Sequence, residues 1–176
     1  MPVSDPAVPH PYPYRLVARQ EVAAPPAAVW AVLADFANVH RWSRAVRHSE
    51  LVSAQPRGVG CARACHIPGF GRIRETVVDW QEGTGLSYEA TPLGPLGPSR
   101  NRWQVAPGPS GAVVLVELSY RVRFGLVGRL LHRLVMRRKL ARLLREVLGQ
   151  LAGHVTGPSG ARWPVTAGDL AATKPS

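Results

Sequence analysis

The order of patterns in this 176-residue chain predicts an α+β fold: an antiparallel meander of about seven strands with one face covered by a long C-terminal helix. Two observations carry the prediction. Between residues 45 and 123, segments of two-residue hydrophobic period alternate with QPRG, IPGFG, EGTG, PLGPLGPS and PGPSG, all of them turn or loop sequences. Beyond Gly125 the period changes to i, i+3, i+4 and runs to Val155, interrupted midway by Met136, Arg137, Arg138 and Lys139. A meander has one face to bury, and a single long helix can cover it.

Each element has its own signal. Residues 1–13 read as a proline-rich, disordered arm, and RLVARQEV (15–22) as the first strand. Pro25 and Pro26 suit the first turn of a helix whose apolar face holds Val29, Trp30, Val32, Leu33 and Phe36. NVHRWSR suggests a second short helix with Asn38 as its cap. Six strands are expected over 45–53, 58–67, 71–80, 85–91, 100–106 and 112–123, leaving PLGPLGP (92–98) as a loop. From Leu126 to Val155 the apolar stripe defines a helix of up to thirty residues. Gly149 and Gly153 lie one turn apart in it, which suggests close approach to another element. Residues 157–176 read as a flexible tail, so the folded domain is expected over 14–156.

Composition bounds the function. Apolar residues make up 45% of the chain, enough for a sizeable core. The net charge is +11, carried mostly by the C-terminal part: thirteen basic and three acidic residues lie from position 100 onward, against nine and eight before it. Twenty of the twenty-two basic residues are Arg, a pattern that coding bias explains as readily as selection for guanidinium chemistry. No segment reaches the roughly 18 apolar residues of a membrane span. The proline-broken N-terminus, with Asp5 and His10, makes a poor signal peptide, and two cysteines make no disulfide framework. A reducing cytoplasm is the expected location. Positive charge alone permits nucleic-acid binding, but no reading motif accompanies it, so none is expected.

CARACHIPGFG (61–71) holds two cysteines and a histidine, and so raises metal and haem chemistry first. On a strand, the Cα atoms of Cys61 and Cys65 would be about 13 Å apart, too far for a disulfide. Zinc needs four ligands, and no second Cys/His pair with ligand spacing exists. No metal or cofactor is expected. The turn is more informative. A three-residue loop of Pro68, Gly69 and Phe70 sets Arg63 opposite Glu75, Cys65 opposite Ile73 and Cys61 opposite Val77, whereas a two-residue loop opposes Arg63 to Arg74. Opposite charges across a strand pair are worth ~0.2–1 kcal/mol, so the three-residue loop is favoured.

VAAPPAAVWAVLADFANVHRWSRAV (22–46) resembles the opening of START-like proteins in the polyketide cyclase/dehydrase group, the SRPBCC superfamily. GVGCAR (58–63), RETV (74–77) and FGLVGRLLHRLVMRRKLARLL (124–144) are similar to its next strands and last helix. The resemblance covers about residues 15–155. It implies a helix-grip fold, in which the sheet wraps the long helix around an internal cavity. It also implies that Glu75 lines that cavity, with Arg63 beside it as a polar floor. The residues alone leave a solvent-exposed ion pair equally open.

Alternation selects further candidates. Leu86, Tyr88 and Ala90 share one strand face; Asn101, Trp103 and Val105 another; Val114, Val116, Leu118 and Tyr120 a third. Glu75, Arg63 and Tyr88 are therefore the candidates for acid/base work. Trp103, Tyr120, Leu86, Leu118, Val116, Asn101 and Phe36 are the candidates for ligand contact, against the ordinary alternative that aromatics on an inner face are core. PLGPLGP would gate the mouth or be only a long turn.

Two functions fit. One is a binding or cyclase-like biosynthetic protein that holds a hydrophobic molecule, such as a polyketide-derived one, folded in its cavity. The other is a non-catalytic lipid or quinone carrier. Arg129–Arg145 carries seven Arg/Lys, to which an acyl carrier protein or an anionic membrane could dock. As the solvated face of a core helix, this stretch is expected not to bind vesicles.

Overall fold

The computed structural model describes residues 12–157, so the expected N-terminal arm and tail lie almost wholly outside the described residues. Within them is a seven-stranded antiparallel sheet: β1 (Tyr14–Val22), β2 (His48–Leu51), β3 (Ala62–Ile67), β4 (Gly71–Gln81), β5 (Gly85–Ala90), β6 (Leu96–Gly108) and β7 (Gly111–Val122). Their order in space is β1-β7-β6-β5-β4-β3-β2, so only the β1–β7 pairing departs from a simple meander. Helix α1 (Pro26–Ala34) and a 3₁₀ turn (Phe36–Arg41) bridge β1 and β2. The chain continues from β7 into α2 (Gly125–Leu131), a π turn (His132–Met136) and α3 (Arg137–Thr156).

Strand alternation sorts the two sheet faces. On β7, Ala112, Val114, Val116, Leu118 and Tyr120 are buried. Their opposite-facing neighbours form a charged ladder in which Arg15 and Arg102 face Glu117, while Arg100 pairs with Glu89 at 2.7 Å. The inner face is closed by α3 through Leu144, Leu148, Leu151 and Val155, spaced four, three and four residues apart. Helix α1 contributes Val29, Trp30 and Leu33 to the same core. Its Trp30 indole donates to Glu82 Oε1 at 2.9 Å, and Trp80 donates to Oε2 at 2.7 Å, which ties the β4–β5 turn to the helix.

The β3–β4 hairpin has the three-residue loop, with Ile67 opposite Gly71, Cys65 opposite Ile73 and Arg63 opposite Glu75. At Cys61 the ladder is interrupted. Gly60 N–H donates to Val77 O, and Val77 N–H to Cys61 O, so two residues share one partner in a bulge. Gly60 sits at φ +89°, the left-handed conformation that such a bulge requires. β3 consequently starts at Ala62, four residues later than its pattern suggests.

Three further expectations are corrected. Asn38 is not a cap: Asp35 precedes the 3₁₀ turn, and Asn38 lies inside it, donating its amide to Asp35 Oδ1 at 2.8 Å. The loop expected over 92–98 is shorter, because Leu93 and Leu96 exchange backbone hydrogen bonds around Gly94 and β6 begins at Leu96. Finally, Gly149 and Gly153 face open space, with nothing within 4 Å of an added Cβ. The glycine that does permit a close approach is Gly128, where a Cβ would lie 1.7 Å from the Arg123 carbonyl oxygen.

Candidate functional site

Between the inner sheet face, α1, the 3₁₀ turn and α3 lies a cavity of ≈ 190 Å³. Its wall is mainly apolar: Leu33, Phe36, Val39 and Trp42 from the first helical layer, Leu86, Trp103 and Leu118 from the sheet, and Leu140, Leu143, Leu144 and Val147 from α3. A cavity of ~150 Å³ takes benzene. The volume here therefore suits one or two rings.

The polar floor is built by β3 and β4. Their register sets Arg63 against Glu75, and strand parity turns both inward. Arg63 is 5% exposed and Glu75 7%. Arg63 Nε donates to Glu75 Oε2 at 2.5 Å, and its Nη1 donates to the Phe36 carbonyl at 2.5 Å. The guanidinium carbon lies 3.9 Å from the Phe36 ring centroid and 5.2 Å from that of Tyr88. Arg63 is thereby held by an anion, a carbonyl and two aromatic faces. Burial disfavours its charge, but the charge and hydrogen bond of Glu75 favour it, and the pKa is raised.

Two neighbours share the pair's environment. Cys65, two residues from Arg63 on the same strand face, donates its thiol to Glu75 Oε2 at 3.4 Å. Burial, and then the Glu75 charge, push that thiol to about 12, so it stays protonated near neutral pH. The Tyr88 phenol is pushed up by burial first and by Glu75 second. It stacks edge-on against Phe36, with ring centroids 5.3 Å apart. The cluster thus offers a fixed cation, a carboxylate and two neutral donors at the base of an apolar hole. Among the described residues, no group of three or more metal-ligating side chains occurs.

The candidate residues separate by position. Arg63, Glu75, Tyr88, Trp103, Leu86, Leu118, Asn101 and Phe36 line the cavity. Val116 and Tyr120 do not. Val116 is fully buried in the sheet–helix core, while Tyr120 hydrogen-bonds His132 Nε2 at 2.6 Å and stacks on Tyr14. Both have inward parity, but they sit where α2, α3 and β1 close the sheet. The sequence reading overlooked Trp42, whose ring meets Trp103 edge-on at 6.2 Å, and the four α3 residues on the wall. Leu143, Leu144 and Val147 were legible as part of the helix's apolar stripe, but the stripe does not say which of its members border a void.

A sheet gripping a long helix around an apolar cavity with a polar floor defines a class of small-molecule-binding proteins. The chain belongs to the polyketide cyclase / dehydrase and lipid transport family, whose model matches residues 14–156. Solved structures agree on the fold. A Nitrosospira multiformis protein superposes with TM-score 0.64 at 15% identity, covering 84% of this chain and 99% of its own. TTHA0849 from Thermus thermophilus gives 0.61 at 19%, covering 78% and 97%, and Ara h 8.0201 gives 0.59 at 12%, covering 78% and 97%. No curated protein matches the chain in sequence. Family membership implies binding of a hydrophobic ligand, and no helix among the described residues is long and apolar enough to cross a membrane.

Proposed function

We propose that this protein takes a hydrophobic small molecule into the cavity and orients the molecule's oxygen-bearing end at Arg63, Glu75 and Tyr88, in the manner of a polyketide cyclase-like biosynthetic protein. The observation that carries the reading is the ion pair buried in an apolar hole. A buried salt bridge contributes little net stability, since desolvation of both ions consumes most of the Coulombic gain. Its presence beside a void is better explained by work done on a ligand. Arg63 would steady developing negative charge on a carbonyl oxygen, and Glu75 would accept a proton from the carbon next to it. The wall's contribution is to hold a flexible chain in one folded form.

The test is native mass spectrometry of the purified protein, with displacement of 8-anilinonaphthalene-1-sulfonate as a second measure. Ala90→Leu puts a larger side chain into the cavity wall directly across the strand pair from Glu75, and should abolish binding with circular dichroism unchanged. Glu75→Gln should retain binding of the dye but lose any turnover of a polyketide-like substrate. Unchanged dye affinity in Ala90→Leu would show that the cavity is not the binding site.

A further inference from the structure

The front half of the C-terminal helix is apolar on the outside. Phe124, Leu126, Val127, Leu130 and Leu134 are 60–76% exposed, with Leu131 and Val135 also open to solvent. Leu126, Leu130 and Leu134 follow one four-residue row, and Val127 and Leu131 the next. Gly128, His132 and Met136, the buried residues of this stretch, occupy the opposite side. The exposed leucines are therefore not a core stripe seen from its edge; they form a second apolar face turned away from the core. Phe124 adds to it at a cost, since its φ of +68° is a conformation bulky side chains rarely adopt.

A cationic row runs beside this face. Arg129, Arg133 and Arg137 follow one another at four-residue steps, and Arg138 and Lys139 continue the charge. Between Glu117 and Glu146 there are nine basic residues and no acidic one. Among the described residues no carboxylate pairs with Arg129, Arg133 or Arg137. Apolar rows flanked by cations fit the boundary of an anionic bilayer, where leucines enter the acyl region and arginines stay among headgroups. A second copy of this chain fits poorly, because pairing two such faces would oppose arginine rows with no acid between them.

We infer that the exposed face of α2 and the π turn, centred on Leu126, Leu130 and Leu134 and flanked by Arg129 and Arg133, docks the protein on an anionic membrane surface. The placement relative to the cavity gives docking a purpose. Leu140, one turn beyond Met136, and then Leu143 already belong to the cavity wall. The membrane-facing segment therefore runs directly into the cavity wall. Docking goes beyond the ligand-binding reading and can stand or fall without it.

The experiment is sedimentation of the full chain with vesicles of phosphatidylcholine alone, or with a quarter phosphatidylglycerol, at low and moderate salt. Wild type should pellet with the anionic vesicles at low salt and progressively less as salt rises. Leu126→Ser/Leu130→Ser/Leu134→Ser should lower the partition coefficient about tenfold or more. Arg129→Ser/Arg133→Ser should weaken binding and flatten its salt dependence. These positions are exposed, so circular dichroism should not change, and Phe124→Ser serves as a separate check in the same direction. Failure of wild type to pellet at low salt overturns the inference. So does a triple-serine variant that pellets like wild type, or one whose only change is conversion of a dimer to a monomer. Dye binding in the cavity, measured on the same variants, should be unaffected, which separates this result from that of the ligand reading.

Discussion

Arg63 and Glu75 are two residues whose chemistry and stability roles can be pulled apart. Removing one member of a buried pair leaves the other charge uncompensated, at about 3–5 kcal/mol, whereas replacing both with apolar residues of similar volume is often neutral or stabilising. Arg63→Met should therefore lower the unfolding free energy by several kcal/mol, while Arg63→Met/Glu75→Leu should unfold near the wild-type midpoint in urea. If the pair serves the ligand, the double variant will be stable and inactive; a double variant as unstable as the single one would make the pair structural. His132 offers a second test at this scale. Its ring is buried between Tyr14, at 4.0 Å, and Tyr120, and burial, then nearby Arg137, lowers its pKa below the usual 6.5. A histidine with a depressed folded-state pKa contributes stability that is present above about pH 6.5 and is lost as pH falls through the folded value. Lowering the pH from about 7.5 to about 5.5 should then reduce the melting temperature of wild type more than that of His132→Gln, which keeps an acceptor for Tyr120 but cannot titrate. Equal shifts in the two proteins would remove His132 from the account.

Among the elements, the C-terminal helix shows both what sequence discloses and what it hides. Its span was legible almost to the residue, because apolar residues recur at helical spacing from Leu126 to Val155 and Gly125 marks its start. The π turn was not legible. Arg137 N–H bonds back to the His132 carbonyl, five residues away, so this turn holds one residue more than an α-helical turn. Hydrophobic spacing cannot distinguish such an inserted residue from drift in the stripe. The two faces of the front half were misread for a related reason. Leucines at helical spacing are taken as core, and only the fold shows that the core side of this segment is occupied by Gly128, His132 and Met136 instead. Gly149 and Gly153 carry the opposite lesson, since a small-residue pair at one-turn spacing looked like a contact and faces open space. Replacing a mid-helix glycine by alanine gains roughly 1 kcal/mol where no atom is in the way. Gly149→Ala should raise stability by about that amount, while Gly128→Ala should destabilise, because its Cβ would strike the Arg123 carbonyl. Urea denaturation of the two variants checks both signs.

Across the whole molecule, the architecture was readable because local signals agreed: turn residues separated the strands, period marked the helix, and charge complementarity set the β3–β4 register. The cavity was not readable from the residues alone, since a void is made by what several elements together fail to fill. Only the resemblance to a family with a hollow fold pointed to it. That void also divides the long helix into unequal halves. From Gly125 to Leu143 the buried residues are only Gly128, His132 and Met136, whereas Leu144, Leu148, Leu151 and Val155 anchor the remainder in the core. Local opening is least costly where few apolar contacts hold an element, so the front half should open without global unfolding. Such opening would also enlarge a ≈ 190 Å³ cavity enough to admit a molecule longer than two rings. Hydrogen exchange read by mass spectrometry should find amides of residues 126–140 exchanging through a sub-global opening and those of 144–155 only through global unfolding. Saturation with 8-anilinonaphthalene-1-sulfonate should slow exchange in the first group by contact with Leu140 and leave the second nearly unchanged. Uniform protection along the whole helix would mean that the wall is rigid, and that ligands are limited to what the cavity accommodates without any opening of this helix.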